Sequence, residues 1–339
     1  MMQPGAIKYV TIRGFKSIAA VEKLPLGPIN VLIGANGSGK SNFIRAFALL
    51  NAILDGEVED YVQTAGGAEK LLHFGSQTTK EIYLWLFSED GASLQATLSP
   101  TEDDSLDSRR THQVKSFKRP SIAPWRVYHV HDTSASSPIR KTVKVDDNRF
   151  LRPDGANLAE FLRYLRVAHE TSYSLIRRTV QLVAPFFDDF QFEARDLGPD
   201  DIRLGWRHRN SDQDFDASSL SDGTLRFILL ATLFLQPVQL RPSLILVDEP
   251  ELGLHPYAIG LLPSLIRMAS VETQVIVSTQ SSRLLDYFDP RDVLVADRVH
   301  GGTQITRLDA SQLAVWLEDY SLGQLWEKNE FEGRPVPER

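Results

Sequence analysis

Cysteine is absent from the 339-residue chain, which removes disulfides, thiolate metal sites and cysteine nucleophiles together and fits a reducing cytoplasm of bacterial type. Eight histidines remain as nitrogen ligands or bases. No apolar run reaches the ~18 residues needed to cross a bilayer, and Met1-Met2-Gln3-Pro4-Gly5-Ala6 has neither the basic nor the apolar stretch of a secretion signal. A soluble, unexported, cytoplasmic protein with no membrane association is therefore expected. The 21 glycines and 18 prolines are ordinary usage and exclude collagen-like and low-complexity chains. Asn157 to Val183 carries a strong helical pattern, but the stretch is far too short for sustained coiled-coil heptads. No fixed-period repeat is present, which excludes a solenoid.

What is there is enough to fold: 42% hydrophobic and 24% charged residues can bury one large core or two ordinary ones. The net charge of -7 argues against a chain that coats nucleic acid by bulk electrostatics, yet the charge is uneven. Between Arg109 and Arg152 there are 11 lysines and arginines against 3 aspartates, a local +8 that leaves -15 for the rest. Phe117, Trp125 and Tyr128 are interspersed among these cations. Three readings stay open: phosphate contact and base stacking on DNA, docking of an acidic partner protein, or a solvated loop.

Along the chain, Ile7 to Ile12 and Ile29 to Ile33 read as strands, and Asn42 to Leu50 as a helix. Ile82 to Phe87 and Ser93 to Leu98 read as a hairpin around Glu89-Asp90-Gly91. Pro100 to Pro153 is polar and proline-interrupted, with little regular structure expected. Asn157 to Val183 predicts two helices or one bent one, and Phe190 to Glu193 and Ile202 to Trp206 predict strands. The last part alternates helix and buried strand: Leu225 to Leu235, Leu244 to Val247, Ala258 to Ala269, Gln274 to Ser278. The organisation expected is an N-terminal lobe (1–99), a basic insertion (100–155), a short helical lever with strands (156–215), and a C-terminal lobe (216–339) completing one composite head.

Chemistry is written most plainly in Gly34-Ala35-Asn36-Gly37-Ser38-Gly39-Lys40-Ser41, a full match to the G-x-x-x-x-G-K-[ST] phosphate loop, placed between an apolar strand and a helix. Glycines let backbone N–H groups turn inward around phosphate oxygens while the helix end adds positive potential. Asn36, Gly37, Ser38 and Gly39 would line that cradle, Lys40 would reach the β- and γ-phosphates, and Ser41 would hold Mg²⁺. Leu244-Ile245-Leu246-Val247-Asp248-Glu249-Pro250 ends a buried strand in two carboxylates. Asp248 at the C-terminal edge of a parallel sheet would face the same crevice and orient Mg²⁺, and Glu249 would polarise the attacking water. Ser219 to Arg226 leads into an apolar helix that Ser221 can cap; it is either an ordinary N-cap or a second anion-binding helix end that completes the nucleotide site of another copy.

With Ile12-Arg13-Gly14-Phe15-Lys16-Ser17, the phosphate loop, Leu220-Ser221-Asp222-Gly223-Thr224, Asp248-Glu249-Pro250-Glu251 and Leu252-Gly253-Leu254-His255-Pro256 in one chain, the sequence resembles the ABC-type ATPase heads of the SMC, RecF and overcoming-lysogenisation-defect group. It looks most like the small bacterial ATPases that carry a bare head, including the ATPase half of two-gene defence systems whose partner is a Toprim-like nuclease. The resemblance implies an α/β P-loop NTPase head with a mixed sheet. It also implies ATP and Mg²⁺ as ligands, and an ATP-sandwich homodimer in which Ser221 and Gly223 of one copy cap the γ-phosphate held at Lys40 of the other. His255 belongs to the loop that crosses the dimer in relatives, or it simply starts the helix beside Pro256.

Two departures from the family pattern stand out. After Val275 to Thr279, where many relatives have a switch histidine, the chain has Gln280, which can hydrogen-bond a γ-phosphate or water but takes up no charge near neutral pH. Slow turnover is the implication. The glutamine that links Mg²⁺ to the arm in relatives has Gln77 as its candidate here, with a plain surface glutamine as the other reading. Ala314 to Leu317 and Leu322 to Trp326 either bind a partner or close the second lobe. The function expected is a Mg²⁺-dependent ATPase whose heads join on ATP and separate on hydrolysis, serving DNA transactions or anti-phage defence. The alternative is a nucleotide-gated scaffold that restrains a separate effector nuclease or toxin, and the assembly implied is the ATP-sandwich homodimer or a higher one.

Overall fold

The computed structural model describes residues 5–114, 125–130, 132–134, 136–192 and 201–331. They form two compact units, one built from the chain up to Val127 with Ser243–Glu249 and the segment from Thr273, the other from Tyr128–Pro242 with Pro250–Glu272.

The first unit holds two sheets. One is antiparallel and five-stranded, in the spatial order Ile18–Pro25, Ile7–Phe15, Ile82–Ser88, Ser93–Pro100, Leu106–Val114. Its centre is a strict alternation: Ile82, Leu84 and Leu86 are buried on one face against Leu94, Ala96 and Leu98 of the paired strand. The hairpin expected around Glu89-Asp90-Gly91 is present, with Gly91 in the left-handed region (φ 82°). Leu106–Val114 departs from the expectation of little regular structure between Pro100 and Pro153. Its polar run Asp107 to Arg110 carries no apolar alternation in the sequence, and the ladder to Ser93–Pro100 holds it at the edge of the sheet.

The other sheet is mixed and six-stranded, ordered Gly302–Arg307, Val293–Val299, Ile29–Ile33, Gln274–Thr279, Leu244–Asp248, Trp125–Tyr128. Ile29–Ile33 lies parallel to both Gln274–Thr279 and Val293–Val299, and Gln274–Thr279 is parallel to Leu244–Asp248. Continuous apolar runs are what strands covered on both faces require. The helix Lys40–Asp55 leaves Ile29–Ile33 through the glycine loop and buries Phe43, Ile44, Phe47 and Leu50 in a core shared with both sheets. Gln274 ties the sheets together: its side-chain amide accepts from Ile7 N at 2.9 Å and donates to the carbonyls of Ile7 (2.8 Å) and Gly27 (2.9 Å).

In the second unit Leu158–Ala168 and Glu170–Val183 are two helices, separated at His169 (φ -140°, ψ 55°). The helix Asp222–Leu235 is buried all round from Leu225 onward, as a run apolar but for Arg226 and Thr232 demands, and packs with Glu170–Val183 and Pro256–Ser270. A small sheet orders Asp214–Asp216, Gly205–His208 and Phe187–Gln191, with Trp206 stacked on Phe215 and on Phe187. The strand expected over Phe190 to Glu193 is Phe187–Gln191, and Glu193 lies outside the described residues.

Candidate functional site

Three glycines of the phosphate loop adopt φ values that side chains resist: Gly34 (154°), Gly37 (80°) and Gly39 (103°). A Cβ on Gly39 would strike the Thr303 and Ser17 side chains, so the loop is pressed against its support and only glycine fits. That support is a hydroxyl network: Thr303 Oγ1 donates to Ser38 O at 2.8 Å and shares a hydroxyl–hydroxyl hydrogen bond with Ser17 Oγ at 2.7 Å, and Asn42 Nδ2 donates to Ser17 Oγ at 2.8 Å. Lys40, 5% exposed, curls over the loop and donates to the carbonyls of Gly34 (2.7 Å) and Ala35 (2.9 Å). Ser38 Oγ is buried with no hydrogen-bond partner, the kind of group a ligand oxygen satisfies. Asn36 and Gly37 are exposed at the loop's tip.

Facing the loop are the ends of two parallel strands. Asp248 pairs in register with Ser278, whose hydroxyl donates to Asp248 Oδ1, while Ser41 Oγ donates to Asp248 Oδ2 at 2.8 Å. Ser278 was not among the sequence candidates, although its register opposite a strand-end aspartate is the signal that finds it. Glu249 sits in the left-handed region (φ 45°), with its amide bonded to Ser278 O at 2.9 Å, a strained conformation that turns the side chain out of the strand's alternation. Gln280 Nε2 donates to Glu249 Oε1. The structure thus brings Lys40, Ser41, Asp248, Glu249 and Gln280 to one edge of the six-stranded sheet. Ser41 and Asp248 are hard oxygen donors already in contact, the donor set that Mg²⁺ takes when substrate phosphates and water complete its shell. Among the described residues no cluster of three or more His, Asp or Glu could hold a metal alone. Gln77 is exposed on the short helix Gly75–Thr78.

In the second unit Ser221 caps Asp222–Leu235, its Oγ accepting from Thr224 N at 3.2 Å. Gly223 is glycine for a reason of packing: a Cβ there would lie 2.6 Å from Gly253 O, so the helix start and the loop 250–255 touch backbone to backbone. Arg226, one turn further, bonds Val130 O at 2.7 Å and the Leu252 carbonyl and so holds the same loop; burial pulls its guanidinium below its ordinary pKa. His255 caps Pro256–Ser270 by accepting from Tyr257 N at 3.2 Å, with Pro256 in the first turn.

Arg140, one cation of the basic segment, clamps the approach to the helix Asp222–Leu235. Its guanidinium, 9% exposed, donates to Thr133 O (2.8 Å), Ala217 O (2.5 Å), Leu220 O (3.3 Å) and Asp222 Oδ1 (2.7 Å). It borders a cleft of about 820 Å³ that Ser221 and Arg203 also line. Arg140→Ala leaves these acceptors without their donor and is expected to cost about 1–3 kcal/mol of unfolding free energy in a urea titration. Arg140→Lys should recover only part, because one ammonium cannot reproduce the fork.

The basic segment is largely spoken for where it is described. Lys144 pairs with Asp201 (2.7 Å), Arg152 with Asp147 (2.9 Å), and Arg126 is buried. Trp125 and Tyr128 are each 1% exposed, so neither offers a ring face to a base, contrary to the stacking reading; both lie in the edge strand beside Leu244–Asp248. Lys115, Phe117, Lys118 and Arg119 lie outside the described residues. No helix among the described residues is long and apolar enough to cross a membrane.

A strand, a glycine loop and a helix facing two strand-end carboxylates, in a mixed sheet beside an antiparallel one, are the layout of a P-loop NTPase fold. Solved structures carry the same fold. An Smc head bound to the C-terminal winged-helix domain of ScpA aligns at TM-score 0.64 and 16% identity over 91% of this chain and 99% of its own. The Smc head with coiled coil and joint from Pyrococcus yayanosii aligns at 0.62 and 12% over 93% and 99%. The Pyrococcus furiosus Smc head bound to the C-terminal domain of ScpA aligns at 0.58 and 16% over 93% and 99%. No curated protein matches the sequence. Residues 29–286 match the family described as "AAA domain, putative AbiEii toxin, Type IV TA system", and the chain belongs to that family.

Proposed function

We propose that the chain is a Mg²⁺-dependent ATPase whose heads pair on ATP and part on hydrolysis. The observation that carries this reading is the Ser41–Asp248 contact at 2.8 Å beneath a glycine loop whose lysine is folded inward. Lys40 and the loop amides bind the β- and γ-phosphates, and Ser41 and Asp248 would hold Mg²⁺, which would supply positive charge to the phosphate oxygens. Glu249 accepts the proton of the attacking water, and Gln280, bonded to it, orients its carboxylate. Ser221, at the head of its helix, caps the γ-phosphate of a second copy, with Gly223 keeping the loop 250–255 close behind it.

The assembly is a homodimer through the ATP sandwich, in service of DNA transactions or anti-phage defence. Two observations favour the second reading, a nucleotide-gated scaffold for a separate nuclease or toxin: an uncharged Gln280 rests on the catalytic carboxylate, which suits slow turnover, and Trp125 and Tyr128 of the basic segment are buried. The experiment is steady-state ATP turnover by the purified chain with and without duplex DNA at 50 and 200 mM salt. Stimulation that fades with salt is expected of the DNA-linked enzyme. DNA-indifferent, slow turnover selects the scaffold, and an absence of turnover even with Mg²⁺ and DNA contradicts the enzyme assignment.

A further inference from the structure

Phe74 is an outlier by two measures. It is 60% exposed, and it sits in the left-handed region (φ 55°, ψ 26°), where a bulky side chain is rare. A single exposed aromatic is unremarkable in itself. Holding one in a strained conformation takes surrounding structure, and the structure is there: His73 N bonds Gly14 O at 3.0 Å, His73 Nδ1 meets Lys16 O at 2.7 Å, and the Phe74 and His73 rings lie 4.3 Å apart.

The ring's other neighbour connects it to the phosphate loop. Val299 pairs with Gly302, so His300 and Gly301 form a two-residue hairpin turn, both with positive φ (49° and 77°). A Cβ on Gly301 would stand 3.1 Å from Phe74 Cζ, which places the ring directly against the turn. Two residues further along the strand, Thr303 bonds Ser38 O and Ser17 Oγ, and Ser17 Oγ is bonded in turn by Asn42 in the first turn of the phosphate-loop helix. Two strand residues span about 7 Å, a distance comparable to the ribose and single phosphate that separate a nucleobase from its β-phosphate.

We infer that Phe74 is the platform on which the nucleobase of the bound nucleotide stacks, held ready by the His300-Gly301 turn and the His73–Lys16 contact. The inference rests on the reading of Gly34–Ser41 as the phosphate site. It assigns a ring face, and so an affinity for the base, to a residue that neither the phosphate loop nor the carboxylates require. Stacking tolerates any base and favours the larger purine surface.

The test compares ATP with inorganic tripolyphosphate, which has the charge and lacks the base, on the full chain by calorimetry. Phe74→Ala should weaken ATP binding roughly tenfold and leave tripolyphosphate binding unchanged. Phe74→Trp should bind ATP like the native chain, with indole fluorescence quenched by ATP and not by tripolyphosphate. Equal loss of both ligands in Phe74→Ala overturns the inference by making the ring structural, and ATP binding within twofold of native overturns it outright. Lys40→Ala is the reference: if it keeps native ATP affinity, the phosphate site itself is misassigned, a failure distinct from that of Phe74.

Discussion

Replacing Lys40 with alanine is expected to lower nucleotide affinity by about 10²- to 10⁴-fold. The ammonium is the one strong point charge in the loop, folded inward over Gly34 O and Ala35 O. A charge-assisted hydrogen bond contributes about 1.5–3 kcal/mol, and a lysine that bridges two phosphates supplies two of them. Arginine should not rescue, because the side chain is 5% exposed and a planar fork does not fit where a compact ammonium does. Calorimetric titration with ATP, run beside a melting curve, checks this. Native affinity in Lys40→Ala would remove the phosphate loop from the site.

The second large effect is expected from Glu249→Gln, which should keep ATP binding and lower hydrolysis about 10²- to 10⁴-fold. The amide is isosteric and can still meet Gln280, so the geometry at the strand end stays while the proton acceptor is gone. Asp248→Asn should act differently. Ser41 donates to Oδ2 and Ser278 to Oδ1, and the substitution turns one of these two acceptor oxygens into a donor, so it should weaken Mg²⁺-dependent binding itself. A single-turnover assay with bound ATP separates the two variants; a native rate in Glu249→Gln would move the base elsewhere.

Much of the site was legible because its logic is local. A glycine loop between strand and helix, carboxylates at the end of an apolar run, and a serine before an apolar helix each declare themselves within about ten residues. What escaped depends on residues far apart in sequence. Arg140 reaches Asp222 across 82 positions, Thr303 reaches Ser38 across 265, and Gln274 reaches Ile7 across 267. Gly223 illustrates the difference. Its place in the signature motif is visible in the sequence, but its closeness to Gly253 O is a fact of packing. Trp125 shows the same limit: an aromatic among cations leaves a stacking surface open as one reading, and the strand that buries the ring closes it.

The central claim of the proposed function is that ATP joins two copies. Light scattering on Glu249→Gln, with ATP and Mg²⁺ and then with ADP, measures it most directly. The mass should double with ATP and Mg²⁺ and return with ADP, and adding Ser221→Arg should abolish the doubling while ATP binding persists. A mass that is the same with ATP, with ADP and with neither would contradict the account.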